Sequence, residues 1–351
     1  MSYITKPSAR HPKLPKNELG LTVRDYEGSM STLCAGCGHD SITAALVQTF
    51  FELDVEPHRV AKLSGIGCSS KTPAYFLSES HGLNAVHGRM PAIAAGANAA
   101  NRDLLYIGIS GDGDSLSIGL GQFCHAIRRN VNMLYVLENN GVYGLTKGQF
   151  SASADIGSTS KRGEVNEQGP IDPVNLALSL GATFVGRSFS GDKKQLVPIL
   201  KAGLAHNGFA FIDVISPCVT FNDHVGSTKS YAHSRDKMHE VVAADFVPLR
   251  AEIKTEYADG SVQAVTMHDG SVVKLRKVTE AYDPTDRGAV IDYLGQTGAR
   301  GEIATGLLYI EEAGADMHGF LGTVDQPLVD VPYEALCPGS AALEQLQNGW
   351  R

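Results

Sequence analysis

The residues with chemical reach in this chain are thiols and hard oxygen ligands. Six cysteines stand at positions 34, 37, 68, 124, 218 and 337. Cys34 and Cys37 form a C-x2-C pair, while Cys68 and Cys218 each follow an apolar run. A thioredoxin-like dithiol would use only the first pair and leave the other thiols idle. A c-type haem site wants histidine directly after the second cysteine, where Gly38 intervenes. Structural zinc usually takes two close-spaced pairs, and only one is present. An iron–sulfur cluster accepts scattered thiolates. Spacing alone leaves zinc and a cluster level. Cys124 and Cys337 read as small buried or inert residues.

The oxygen ligands are Asp112, in Gly111-Asp112-Gly113-Asp114, and Asn140, in Asn139-Asn140-Gly141-Val142-Tyr143-Gly144. They lie 28 positions apart (140 minus 112). The apolar runs 104–110 and 132–138 read as buried parallel strands, with a crossover helix over 115–129 between them. Both ligands then follow the carboxyl end of a strand, on the sheet edge where open α/β proteins bind ligands. Glycines at 111, 113, 141 and 144 suit close backbone approach and positive φ. Backbone amides at a helix start favour an anionic phosphate. Two convergent oxygens beside a phosphate describe a Mg²⁺ ion that completes its octahedron with substrate oxygens.

The rest of the chain must position these groups. Its 351 residues suffice for one large α/β domain with an appendage, or for two domains. A net charge of −8 argues against nucleic-acid or anionic-membrane partners. No apolar run reaches the roughly 20 residues of a membrane span, and residues 1–7 lack an apolar signal core, so the expected location is cytoplasmic. Residues 1–30, with three prolines among basic residues, read as an extended arm, disordered or laid along a partner. Residues 31–240 carry the strand–helix alternation: a helix capped by Asp40 and running to about Leu53, strands at 60–64 and 84–87, and a small-residue helix at 91–100. Residues 144–172 form a long Ser/Thr/Gly-rich loop, and loops of that length are usually functional. A helix to Leu180, a strand over 182–187, a helix over 193–205 and a strand over 209–215 lead to Cys218. Composition changes near 240, and residues 241–351 read as a C-terminal extension with a hairpin around His268-Asp269-Gly270. The fold class expected is α/β, a doubly wound, mostly parallel sheet.

The Gly-Asp-Gly followed by Asn-Asn resembles the diphosphate-binding motif of thiamine-diphosphate enzymes. That resemblance implies metal ligation by Asp112, Asn140 and the Val142 carbonyl, in a thiamine-diphosphate-binding fold of the diphosphate-binding type. Six motifs in one order extend it: Cys-x-Gly-Cys-Gly-His, Gly-Ile-Gly-Cys-Ser, His-Gly-Arg, Gly-Asp-Gly-Asp, Asn-Asn-Gly-Val-Tyr-Gly-Leu-Thr-Lys-Gly-Gln and Ser-Pro-Cys-Val-Thr-Phe-Asn. Over about residues 31–235 the chain resembles the β subunits of 2-oxoacid:ferredoxin oxidoreductases, most of all the 2-oxoglutarate enzymes.

The resemblance implies that Cys34, Cys37, Cys68 and Cys218 hold a [4Fe–4S] cluster. It implies thiamine-diphosphate contacts from Ile66, Gly67, Ser69, His87, Gly113, Asp114, Gly144 and Leu145. Lys71 and Lys147 read as solvated surface charges from residue type alone. The resemblance raises both as substrate-carboxylate binders, Lys147 ahead of Lys71. The implied reaction converts a 2-oxoacid and coenzyme A to acyl-CoA and CO₂, with electrons passing through the cluster to ferredoxin. Thiamine enzymes also need a carboxylic acid against the aminopyrimidine ring, normally from a pyrimidine-binding domain. No second comparable series of strands and helices is visible here, so an α subunit is expected to supply it in an (αβ)₂ assembly. Pyruvate or a broader 2-oxoacid range is the nearer alternative, and a zinc-stiffened nucleotide-binding module the more distant one. His39, His81 and His125 read as capping, surface or packing residues.

Overall fold

Consecutive Val, Ile, Leu and Phe residues make strands that bury both faces, and such strands form one ten-stranded sheet in the computed structural model. The structure describes residue 6 and residues 11–247, 262–267, 269–277, 282–311 and 314–350. In chain order the strands are β1 Val60–Ser64, β2 His81–Asn84, β3 Leu105–Gly111, β4 Met133–Asn139, β5 Val142–Tyr143, β6 Gln149–Phe150, β7 Phe184–Phe189, β8 Phe209–Ile215, β9 Met238–Val247, β10 Val262–Thr266, β11 Val272–Lys277 and β12 Ile303–Ile310. The helices are α1 Gly38–Glu52, α2 Met90–Ala100, α3 Leu120–Arg128, α4 Pro173–Ser179, α5 Lys193–Ala205, α6 Tyr231–Lys237, α7 Arg287–Ala299, α8 Met317–Leu321, α9 Tyr333–Leu336 and α10 Ser340–Asn348.

The strand order is β10-β11-β9-β12-β7-β8-β4-β3-β1-β2. From β2 to β7 every neighbouring pair is parallel. Every residue of β1, β4, β7 and β8 is buried. Successive strand residues point to opposite faces, so both faces are covered. Helix α1 packs on α5, and α2 on α3. Beyond β7 the sheet continues with β12 antiparallel to β7 and parallel to β9, then β11 and β10 antiparallel.

After β1 the chain forms edge strand β2 and returns to β3 on the other side of β1. Loops leaving β1 and β3 therefore part in opposite directions and open a crevice at the carboxyl ends, the ligand position of such sheets.

Several local expectations shift. Helix α1 begins at Gly38 with Cys37, not Asp40, at its N-cap, because the Pro217 carbonyl takes the Gly38 amide at 3.3 Å. Asp40 instead sits in the first turn, where the helix dipole favours an acid. The strand expected over 84–87 lies at 81–84, in register with β1 from Ala61–His81 to Ser64–Asn84. His87 thereby falls in the loop beyond. The helix expected over 115–129 is split into a π-helical turn, Gly113–Ile118, and α3, with Gly119 between them. Of the glycines at 111, 113, 141 and 144, only Gly141 takes positive φ, at +76°.

The arm is not all detached. Lys6 pairs with Glu27 at 2.8 Å, and Asn17 bonds the Tyr26 hydroxyl and the Phe51 carbonyl of α1. Tyr26 is fully buried against Phe51, an anchor that a proline-and-charge reading overlooks. Residues 1–5 and 7–10 of the arm, and His268 of the hairpin turn, lie outside the described residues. Strands β10 and β11 pair antiparallel around that turn. Strand β9 runs through residue 240, so the composition change falls inside the sheet.

The loop after β1 is fastened from below. Lys62 is buried, and its ammonium donates to the carbonyls of Pro73, Phe76 and Leu77 at 2.6–2.8 Å. Burial lowers its pKa to about 8. Lys62→Met keeps the stem and strands three carbonyls, so a loss of about 3 kcal/mol is expected. A urea unfolding midpoint unchanged from the parent protein would refute this role.

Candidate functional site

The crevice becomes a cleft lined from four strand ends. Ile66, Gly67, Cys68 and Ser69 follow β1, and His87 follows β2. Asp112, Gly113 and Asp114 follow β3, and Asn140, Val142, Tyr143, Gly144 and Leu145 follow β4. The residues named above for thiamine diphosphate and for Mg²⁺ therefore share one cleft.

Asp112 is buried. Its Oδ2 accepts from the Gly141 amide at 3.0 Å, from Ser153 Oγ at 2.5 Å and from Ser151 Oγ. The protein's donors thus gather on Oδ2, and Oδ1 is the oxygen left for a cation. Asn140 Oδ1 accepts the Val142 amide at 3.0 Å, and Asn222 Nδ2 donates to the Asn140 carbonyl at 2.8 Å. A carbonyl oxygen has a second lone pair, so Asn140 retains capacity for a metal. This donor set, a carboxylate, an amide oxygen and a backbone carbonyl, fits a hard divalent cation.

Asp114 does a different job. Its Oδ1 accepts from the Gly88 amide at 2.6 Å, from His87 Nδ1 and from the Ile66 amide at 3.3 Å. Its Oδ2 accepts from Ser110 Oγ at 2.7 Å. One buried carboxylate therefore ties together the loops after β1, β2 and β3. Gly65 allows this, because a Cβ there would stand 1.8 Å from Asp114 Oδ2.

The thiols of Cys34, Cys37, Cys68 and Cys218 gather beside the same cleft. The Cys34–Cys37 turn packs on the loop after β8, with Thr220 Oγ1 3.5 Å from Cys34 Sγ. A Cβ on Gly144 would lie 3.4 Å from Cys68 Sγ and 3.7 Å from Cys218 Sγ. The absence of a side chain on Gly144 thus lets the cleft wall approach two thiols, of which Cys68 itself lines the cleft. Burial pushes Cys37 up to about 12 and raises Cys68 and Cys218, and neighbouring thiols add to each rise. Among the described residues, no three His, Cys, Asp or Glu side chains converge tightly enough for one metal ion. A tetrahedral zinc needs that convergence, whereas a cubane spreads its thiolates over four irons. Cys124 is half-buried on α3, and Cys337 is exposed directly after α9.

Neither lysine lines the cleft. Lys147 is exposed at the tip of the β5–β6 hairpin with φ +81°, an unusual conformation for a non-glycine residue. Lys71 reaches Thr32 Oγ1 at 3.4 Å, and its charge favours the Cys68 thiolate, opposing the rise that burial causes. Two further groups stand at the site: His39, expected to cap, pack or lie on the surface, and the pair Ser151 and Ser153, for which the sequence carried no expectation. His39 is buried, lines the cleft, and lies 2.7 Å from Ser216 Oγ and 3.4 Å from Asn140 Nδ2. Its Nδ1 also lies 3.3 Å from Glu138 Oε2. Burial lowers His39 to about 4 and holds Glu138 well above the usual carboxylate range. Ser151 and Ser153 lie in the turn after β6, where the Ala154 amide donates to the Ser151 carbonyl at 3.1 Å, and no periodic signal marks them.

Comparison with known proteins bears on this site. Residues 65–214 match the family described as thiamine pyrophosphate enzyme, C-terminal TPP binding domain. The 2-oxoglutarate synthase subunit KorB of Methanocaldococcus jannaschii is 36% identical over 191 residues, 54% of this chain and 69% of that protein. The chain belongs to the β subunits of 2-oxoacid:ferredoxin oxidoreductases.

This β subunit is also 43% identical over 203 residues to the 2-oxoacid:ferredoxin oxidoreductase subunit beta of Saccharolobus solfataricus, covering 58% of this chain and 66% of that one. A solved 2-oxoglutarate:ferredoxin oxidoreductase from Magnetococcus marinus, with 2-oxoglutarate, coenzyme A and succinyl-CoA bound, superposes with a TM-score of 0.71 at 29% identity. That superposition covers 93% of this chain and 96% of the other. The match spans between about half and two thirds of the first curated relatives' length. The β subunit has the thiamine-diphosphate-binding fold, a mostly parallel α/β sheet, as its sequence led one to expect. Among its described residues no helix is long and apolar enough to cross a membrane.

Proposed function

We propose that this β subunit works in a coenzyme A-dependent 2-oxoacid:ferredoxin oxidoreductase with 2-oxoglutarate as substrate. The observation that carries the reading is the approach of two ligand sets: the oxygen ligands Asp112, Asn140 and Val142 in one cleft, and the thiols of Cys68 and Cys218 beside Gly144 of the same cleft. When bound, thiamine diphosphate supplies the electron sink for decarboxylating a 2-oxoacid, and a [4Fe–4S] cluster supplies a one-electron acceptor beside it. Asp112, Asn140 and the Val142 carbonyl hold Mg²⁺, and Ile66, Gly67, Ser69, His87, Gly113, Asp114, Gly144 and Leu145 form the diphosphate and thiazolium wall. Cys34, Cys37, Cys68 and Cys218 would hold the cluster, which would supply one-electron chemistry with ferredoxin as the external partner. Asp114 keeps the three loops in register while staying saturated by protein donors.

An α subunit completes the site with its pyrimidine-side carboxylate, in an (αβ)₂ assembly in the cytoplasm. Half-exposed Ile66 and Leu145 on the cleft wall, with Val86 beside His87, support that cover, since exposed apolar side chains gathered at a cleft mouth suit a partner. A broader 2-oxoacid range is favoured by one finding: relatives at 43% and 45% identity carry the general 2-oxoacid name.

Lys147 and Lys71 are the cations for substrate carboxylates. The test compares kcat/KM for 2-oxoglutarate and pyruvate in the assembled enzyme before and after Lys147→Ala and Lys71→Ala. A desolvated charge pair is worth about 1.5–3 kcal/mol, or roughly ten- to more than a hundredfold. A larger loss for 2-oxoglutarate than for pyruvate assigns the distal carboxylate to that lysine. No coenzyme A-dependent turnover of either acid by the assembled parent enzyme would refute the function itself.

A further inference from the structure

A buried hydrogen-bonded chain runs from Asp112 through the sheet and into helix α4. Ser151 and Ser153 meet Asp112 Oδ2. Ser153 Oγ also lies 2.8 Å from Asn139 Oδ1, so its single proton is shared between the carboxylate and the amide oxygen. Asn139 Nδ2 donates to Asp213 Oδ1 at 3.0 Å, and Arg187 Nε donates to Asp213 Oδ2 at 2.9 Å. The other arm of the Arg187 guanidinium donates to Asp172 Oδ1 at 2.7 Å, the same oxygen that caps α4. Ser151, Ser153, Asn139, Asp213 and Arg187 are all under 9% exposed.

We propose that Ser151 and Ser153, braced by Asn139, Asp213 and Arg187, are positioning residues that hold the Asp112 carboxylate for its divalent metal. The inference rests on the reading of Asp112 as a metal ligand. Asp112 stands on the turn after β3, where its carboxylate plane is free to rotate about the Cβ–Cγ bond. Two hydroxyls and an amide on Oδ2 remove that freedom and leave Oδ1 facing the cleft. The serines come from the 144–172 loop, which Asp155 also ties to Thr228 and Lys229. Asn139, the residue before the other ligand, meets Ser153 from β4. Asp213 on β8 fixes the Asn139 amide, and Arg187 on β7 fixes Asp213. The two ligands and their brace therefore move as one body across three parallel strands.

Partners of this kind are generally worth 10–100-fold in metal affinity. The experiment uses the full chain in complex with its partner subunit, stripped of metal and then titrated with Mn²⁺ at saturating thiamine diphosphate. Free Mn²⁺ is followed by electron paramagnetic resonance. Ser153→Ala is expected to weaken Mn²⁺ binding about 10-fold or more with the melting temperature unchanged, and Ser153→Thr to restore it. Asp213→Asn is expected to weaken binding in the same direction. If that variant fails to fold, Ser153→Ala decides alone. Parent-like Mn²⁺ binding in Ser153→Ala, beside lost binding in Asp112→Ala, would overturn the proposal while keeping the metal site. Parent-like binding in Asp112→Ala would remove the metal site itself, and the proposal with it.

Discussion

Cys218→Ser, in the complex purified without oxygen, is expected to lose the brown colour and most of the iron, about four atoms per chain in the parent protein. Cys218 stands just past β8, at the centre of the thiol group: its sulfur flanks Gly144 with Cys68, and its loop packs on the Cys34–Cys37 turn. A serine oxygen is a harder and less readily ionised ligand than a thiolate, and the protein has already raised the cost of ionisation by burial. Cys34→Ser, Cys37→Ser and Cys68→Ser are expected to lose or damage the cluster in the same way. Cys124→Ser, on α3, and Cys337→Ser, after α9, are expected to keep full iron. Iron and the absorption spectrum measure the outcome directly. Stoichiometric zinc without iron in the parent protein would sink the redox reading, and full iron in Cys218→Ser would sink this ligand assignment.

Asp112→Ala is expected to weaken the binding of Mg²⁺ and thiamine diphosphate on the order of 100-fold, about 3 kcal/mol. The substitution removes the charged ligand and also strands Ser151, Ser153 and the Gly141 amide, all of which now point at Oδ2. Asn140→Ala removes one oxygen and no charge, so a smaller loss is expected. Calorimetric titration of the stripped complex with Mg²⁺ and thiamine diphosphate gives both numbers. Parent-like affinity in both variants would mean that the cation lies elsewhere.

The strands at 60–64 and 209–215 and the helix at 193–205 were legible residue by residue, because uninterrupted apolar runs and the helical period are local signals. The motifs around Asp112, Asn140, Cys68 and Cys218 were legible for the same reason: each follows a strand whose end the sequence marks, while Cys34 and Cys37 stand in the turn before α1. That these turns meet in one cleft follows from parallel pairing, which the alternation of strands and helices implies.

Other features were decided only by tertiary contacts. Asp114 reads as one more acid in a motif, yet its neighbours come from three loops that sequence separates by up to 48 positions. The N-cap of α1 moved from Asp40 to Cys37 because a carbonyl from the loop after β8 reached Gly38 first. His39 and Glu138 look like ordinary ionisable groups in sequence, and only complete burial pushes the one pKa down and the other up. Strand β12 carries no motif, and its place between β9 and β7 depends on which sheet edge stayed unpaired. Residue type and spacing therefore determined the chemistry this chain can hold. Burial and long-range hydrogen bonding, which no local window contains, decided which oxygen of Asp112 faces the cleft and what keeps it there.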